Sequence, residues 1–283
     1  MIKIQRQFSR HITLVSKKFL LSTVLLISFT GISHAGGFGA GVHAGYGTLK
    51  YEESSSAFGT NVESKSSQKV VLMGISGEYT FQKLKNFYAG ITTDWASGRG
   101  DTETWKGNGI QTQTNDMEVF GQFYDLRFGY KNNLDNFNYR LYASGGWDGI
   151  NFKRDKFIWR GASAAGRSTE DFSLWRTGLG TGLGYKINKW ALDARAAYSY
   201  YPKGTVENSS YSQFEFDTDG TCLDLGLGIA REITEKINFY VGGSYTLLKL
   251  NQSDVITQGS TRAVFPDSKM EILVGMVNLR YAF

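Results

Sequence analysis

The last twelve residues alternate without a break. Leu273, Gly275, Val277, Leu279, Tyr281 and Phe283 fall on one face of an extended chain, and Ile272, Val274, Met276, Asn278, Arg280 and Ala282 on the other. Period two marks a β-strand, because successive side chains there point to opposite faces. The pattern recurs nine more times upstream, in stretches such as Val42-His43-Ala44, Val71 to Phe81, Leu126 to Tyr130, Trp190 to Tyr200 and Ile237 to Leu247. In each stretch one face is apolar or aromatic and the other is polar. The polar face carries Glu78, Asp94, Asp125, Arg127, Arg140, Asp148, Arg176, Asp193, Arg195, Asp224 and Arg280.

The connections alternate as well. Lys83–Asn86, Asn132–Asn136, Asn188–Lys189 and Thr234–Lys236 are short polar turns, and between them lie longer polar segments at 52–67, 97–115, 153–171, 202–219 and 252–268. Both prolines, Pro202 and Pro266, fall in the long segments, which are expected to be loops. In hydrocarbon every backbone N–H and C=O must be paired internally, and strands achieve this only in a closed barrel. An apolar face turned outward, charges turned inward and short turns opposite long loops describe an all-β fold. It is a transmembrane antiparallel up-and-down barrel of about ten strands in a bacterial outer membrane. Trp95, Trp147 and Trp175 mark one aromatic rim; Phe81, Phe87, Tyr130, Tyr185, Trp190 and Phe283 mark the other.

The first 35 residues change the charge balance. Lys3, Arg6, Arg10, Lys17 and Lys18 precede an apolar run from Phe19 to Thr30, and Ser33-His34-Ala35 follows. This reads as a signal peptide over 1–35, cleaved after Ala35, with the barrel over 36–283. The chain has 31 Lys and Arg against 26 Asp and Glu, and removal of the leader takes five bases and no acid, leaving a formally neutral protein. No persistent basic patch remains to argue for nucleic acid. Cys222 is the one cysteine, so no intrachain disulfide forms. No metal-ligand cluster, phosphate-binding glycine loop or cofactor motif stands out. The inward charges read as a mutually paired plug or as the lining of a narrow pore. About eight strands leave an interior filled by side chains, and ten lie near that end of the range.

The ten-strand pattern, the leader, the long outer segments and the terminal Phe283 resemble the omptins, the outer-membrane barrel proteases. Tyr139-Arg140-Leu141, with Gly145 and Trp147, is similar to the fifth omptin strand. The resemblance implies a protease site at the outer rim and a lipopolysaccharide contact on the outer wall. The site residues depart from the family. Its Asp-x-Asp-Trp reads Thr92-Thr93-Asp94-Trp95, and its Asp-x-His reads Asn208-Ser209-Ser210. A hydroxyl and an amide do not serve as a general base near neutral pH. The mature chain has one histidine, His43, in the first strand. The family's lipid contact, Tyr-x-Glu-x-Arg, reads Trp147-Asp148-Gly149-Ile150-Asn151, which keeps the aromatic and loses the charges.

The third long segment is basic, and Lys153, Arg154, Lys156, Trp159 and Arg160, with Trp147, are expected to face lipid phosphates or an acidic partner. The expected protein is a monomeric, non-enzymatic surface barrel that binds a host or envelope ligand through its outer loops. A small porin for polar solutes and an omptin-type hydrolase are the alternatives. Its other partners are outer-membrane lipid and, during biogenesis, the barrel assembly machinery, which reads a terminal aromatic stripe. Mass spectrometry of outer membranes should find a mature N-terminus at Gly36; a retained Met1–Ala35 segment would refute the leader.

Overall fold

The computed structural model describes residues 37–84 and 86–283. The leader and its cleavage site lie outside the described residues. Ten long strands form the wall: β1 (Gly37–Ser55), β2 (Val62–Thr80), β3 (Phe87–Gly107), β4 (Ile110–Leu134), β5 (Phe137–Trp159), β6 (Ala162–Ile187), β7 (Trp190–Asn208), β8 (Glu215–Glu232), β9 (Ile237–Leu250) and β12 (Asp267–Ala282). Each pairs antiparallel with its sequence neighbour, and β12 closes the ring on β1, with Val42 opposite Leu279. A small hairpin, β10 (Ile256–Gln258) and β11 (Thr261–Ala263), sits in the last outer connection. The closure is fastened at the terminus. The Phe283 N–H donates to the Phe38 carbonyl at 2.9 Å, and the two rings lie 5.3 Å apart.

The long outer segments, expected to be loops, are mostly strand. β5 alone has 23 residues, which at ~3.3 Å per residue and a ~45° tilt make the wall roughly 50 Å tall, about twice the apolar band of such barrels. Outer turns shrink accordingly. Asn108-Gly109 and Arg160-Gly161 are two-residue turns with positive φ at both positions (50° and 79°, 47° and 83°), the mirror-image geometry that matches strand twist. Pro202 is likewise inside β7 rather than in a loop, at a bulge where the ladder to β8 skips from Tyr201 to Gly204.

The outer strands alternate with inverted polarity. On β1 the outward series runs Val42, Ala44, Tyr46 and then Thr48, Lys50, Glu52, while the inward series ends in buried Leu49, Tyr51 and Glu53. On β12 outward Leu273 gives way to Glu271 and Lys269, opposite buried Met270 and Val274. Near the termini the wall is apolar outside and polar inside. Beyond the belt it is charged outside and mostly apolar inside, where Val70, Met117, Phe152, Leu174 and Val206 pack around a small set of buried polar groups. The reason is the solvent: hydrocarbon surrounds one half and water the other, and only in water does burying an apolar interior stabilise the barrel.

Three substitutions separate the halves. Leu225→Arg, on the outward face of the belt, should cost about 2–4 kcal/mol. Phe152→Ala, on the inward face beyond it, should cost about 3–5 kcal/mol. Ser67→Arg, outward beyond the belt, should stay within about 0.5 kcal/mol. Denaturant unfolding of the refolded barrel reads all three, and equal costs at Leu225 and Ser67 would contradict the inversion.

Candidate functional site

Three charged hubs cross the lumen in tiers. Nearest the termini, Glu78 on β2 accepts from Lys131 at 2.7 Å and lies 3.0 Å from Arg280 and 3.8 Å from Arg140. In the middle tier, Arg176 on β6 lies 3.3 Å from Asp125, 3.4 Å from Asp148 and 3.7 Å from Asp224. Arg127 pairs with Asp125, Tyr201 donates to Asp148, and Thr246 donates to Asp224. Asp193 lies in the field of Arg140 and Arg195. At this height His43 on β1 reaches across β2 to Asp94 on β3. Gly74 lies between them on β2, and a Cβ there would stand 2.1 Å from the Asp94 carboxylate, so only glycine lets the pair meet.

The third tier was not expected. Arg154, placed by the sequence in a basic outer loop, is 3% exposed and points into the barrel. Its guanidinium lies 2.7 Å from Glu103, 2.9 Å from Glu170 and 3.2 Å from Glu53. The amide of Asn115 donates to Glu103 at 2.9 Å, the Tyr51 hydroxyl donates to Glu53 at 2.6 Å, and the Trp105 ring lies over the guanidinium. The correction has a local cause. The alternation Ile150, Phe152, Arg154 continues β5 inward, so Arg154 shares the face of two buried apolar residues.

The other residues of that basic segment do face outward, and most are paired. Lys153 donates to Glu118 at 2.7 Å and Lys156 to Asp116 at 2.6 Å. Trp147 donates to Ser173 at 2.9 Å, and Arg160 stacks over Trp159, which is exposed at the rim.

The residues aligned with an omptin site are separated. Asn208 and Ser210 stand near the outer end, where Asn208 donates to Glu170 at 3.3 Å and Ser210 to Ser168 at 3.0 Å. Thr92 and Asp94 lie across the ring on β3 but lower than Asn208 and Ser210. Thr92 registers with Asp125, which puts both in the middle tier. The β3 acid at the height of Asn208 is Glu103, linked to it through Arg154 and Glu170. Sequence reasoning missed Glu53, Glu103 and Glu170 because it ended the strands too early. A register break between Gly98 and Asp101 also flips the β3 phase before Glu103.

Burial in the cage, and next the Glu170 carboxylate, push Glu53 up to about 8. Burial pulls Arg154 the other way, but Glu170, Glu53 and Glu103 outweigh it and hold the guanidinium well above its ordinary value. The cage is one guanidinium and three carboxyls, with Glu53 the one pushed toward its neutral form. Chemically it is a closed ion-pair knot. Above it Phe265, from the connection between β11 and β12, drops into the barrel against Phe172 and Phe216.

A side-chain-filled, closed, ten-stranded barrel with an apolar outer belt defines the class: a bacterial outer-membrane β-barrel protein. The family model described as the autotransporter beta-domain matches residues 27–244, and the chain belongs to that family. Among solved structures it is similar to the outer membrane protease OmpT of Escherichia coli, at TM-score 0.67 and 12% identity, covering 87% of this chain and 97% of that one. At that identity the likeness is one of fold. The translocator domain of the autotransporter NalP from Neisseria meningitidis matches at TM-score 0.39 and 14% identity, over 96% of this chain and 98% of that one. No curated protein matches the sequence.

The Glu53 shift gives stability a pH slope. Its folded value near 8 stands above the ordinary 4.5, so between those values the native state keeps a proton that the unfolded chain has released. Its contribution is therefore greatest below pH 4.5, falls as pH rises to about 8, and is level above that. Urea unfolding in detergent micelles should find the native protein weaker in mild alkali than in mild acid, and Glu53→Gln should flatten that difference. An unchanged slope in the variant would place the titration elsewhere.

Proposed function

We propose that this protein is a closed, monomeric, non-enzymatic surface barrel that works by presenting its outer rim to a host or envelope ligand. The observation that carries the reading is the filled lumen: two cationic hubs, one anionic hub and the Phe265 plug cross it at successive heights. A barrel closed in this way offers its partners the outside and the rim.

The rim supports the same reading. Phe58, Ile110, Ile158, Trp159 and Tyr211 are exposed at or beside the turn tips. Large apolar side chains exposed in water at a protruding edge are the usual anchors of a binding surface. Phe58 holds a left-handed conformation with φ 61°, and Arg262 lies 5.0 Å over its ring. A non-glycine residue in that region is strained, and strain of this kind gathers at functional sites. Against catalysis stands the chemistry at Asn208 and Ser210, which can orient water but not take its proton.

Three measurements test the proposal. In planar bilayers the refolded protein should give no steady conductance steps; regular steps would favour the porin. Incubated with lipopolysaccharide and dibasic peptides, it should cleave none; cleavage abolished by Glu103→Gln would make it an enzyme. Displayed on a non-adherent bacterium, it should raise binding to epithelial cells or matrix glycoproteins, and Phe58→Ala with Trp159→Ala should reduce that gain about tenfold, the effect of losing anchors worth roughly 1–2 kcal/mol. Full binding by the double variant would remove the rim from the reading.

A further inference from the structure

Just beyond the apolar belt the wall is not electrically uniform. On five consecutive strands, the first or second outward position past the last apolar one is basic. These are Arg99 on β3 beyond Trp95, Lys69 on β2 beyond Val71, and Lys50 on β1 beyond Tyr46. Lys269 on β12 beyond Leu273 and Lys249 on β9 beyond Leu247 complete the series. Inward neighbours Leu49, Gln68, Leu248 and Met270 are buried, which fixes the outward direction of the lysines.

The ladder joins the four lysines into one arc, and Arg99 stands one residue past Gly98, which pairs with Val70 beside Lys69. Lys69 registers with Thr48, one outward step from Lys50. Lys50 registers with Glu271, one outward step from Lys269, and Lys269 registers with Lys249. Adjacent members are therefore rooted about 5–8 Å apart. Glu271 pairs with Lys269, and Glu52, which registers with Lys269, lies 3.6 Å from Lys65 farther out. The opposite arc has the other sign. Its corresponding positions hold Glu118 and Asp116 on β4, Asp171 on β6 and Asp219 on β8, with Lys203 on β7.

We infer that the arc from β3 to β9 is a binding strip for the phosphate groups of outer-leaflet lipid. Two features select a lipid over a soluble anion. The strip lies at the edge of the belt, where lysine stems run along apolar wall and their ammonium groups reach the headgroups. Directly beneath it the wall is apolar and exposed, through Tyr46, Val71 and Leu273, and so seats acyl chains below the phosphates. The basic segment around Lys153 and Lys156 is a poorer site because its ammonium groups are already paired with Glu118 and Asp116. The strip depends on membrane placement alone and stands whether or not the rim binds a ligand.

The test refolds the full chain into phosphatidylcholine vesicles containing phosphorylated or dephosphorylated lipid A. The barrel is then extracted in mild detergent and its retained lipid counted by native mass spectrometry. The native protein should keep phosphorylated lipid A, and Lys50→Gln/Lys69→Gln/Lys249→Gln should keep about tenfold less or lower still. Lys153→Gln/Lys156→Gln/Lys203→Gln should retain as much as the native protein. Equal retention by the first variant, equal retention of the dephosphorylated lipid, or displacement by millimolar inorganic phosphate would each overturn the inference. Heat-modifiable mobility on gels reports folding of each variant, and if the triple change does not fold, Lys69→Gln and Lys50→Gln singly serve the same comparison.

Discussion

One wall of this barrel meets two solvents, and the rest of the structure follows from that. In hydrocarbon an unpaired backbone group has no partner, so the ladder must close, and β12 returns to β1 to close it. Outside that zone the same ladder continues into water, where the side-chain rule reverses. The switch falls within a step or two of alternation on every strand that shows it, from Tyr46 to Lys50, from Val71 to Lys69 and from Leu273 to Lys269. The interior answers the exterior. Where lipid surrounds the wall, an apolar filling gains nothing, and the lumen holds ion pairs. Where water surrounds it, Phe152, Leu174 and Val206 make a core like that of a soluble domain.

The buried charges act as fasteners more than as a source of net stability. Taking a guanidinium and its carboxylates out of water costs about as much as their attraction returns, and the large penalty comes from removing one partner. What the hubs do supply is register. Arg176 on β6 ties β4, β5 and β8; Glu78 on β2 ties β4, β5 and β12; Arg154 on β5 ties β1, β3 and β6. A one-residue slip of any strand would turn its charge outward into lipid or strand its partners. Wide strands of glycine and small residues need such fasteners, because small side chains specify a register weakly.

On the proposed reading, a lumen filled at three heights leaves recognition to the outside of the molecule. Two outer surfaces then matter: the rim, with exposed aromatic and aliphatic tips, and the headgroup zone, with a basic arc on one side and an acidic arc on the other. They differ in what they can recognise. The rim offers apolar anchors on short turns, and the arc offers spaced point charges on a rigid sheet. Lys153 and Lys156 looked like the charged surface in the sequence, yet neighbouring strands neutralise them, whereas Lys50, Lys69 and Lys249 are scattered along the chain and adjacent only around the ring.

Alternation over ten segments, the short polar turns and the terminal aromatic stripe determined the closed barrel, its outward face and the inward residues from Glu78 to Arg280. That information is local, because a period of two along one strand assigns its faces without reference to any other. Three things were decided only by tertiary structure. The outer segments are strands, because Gly98–Asp101 and Tyr201–Gly204 bulges flip the phase and hide an alternation that resumes beyond them. Arg154 belongs to a cage with Glu53, Glu103 and Glu170; the β5–β6 hairpin supplies Glu170, 16 positions away, but only the curving of the wall into a barrel brings Glu53, 101 positions away, within 3.2 Å. The basic arc exists because β12 lies beside β1, which puts Lys269 next to Lys50 although 218 residues of chain separate them. Faces are set by the pleat of each strand, and neighbours are set by how the strands pair, which single-strand periodicity does not encode.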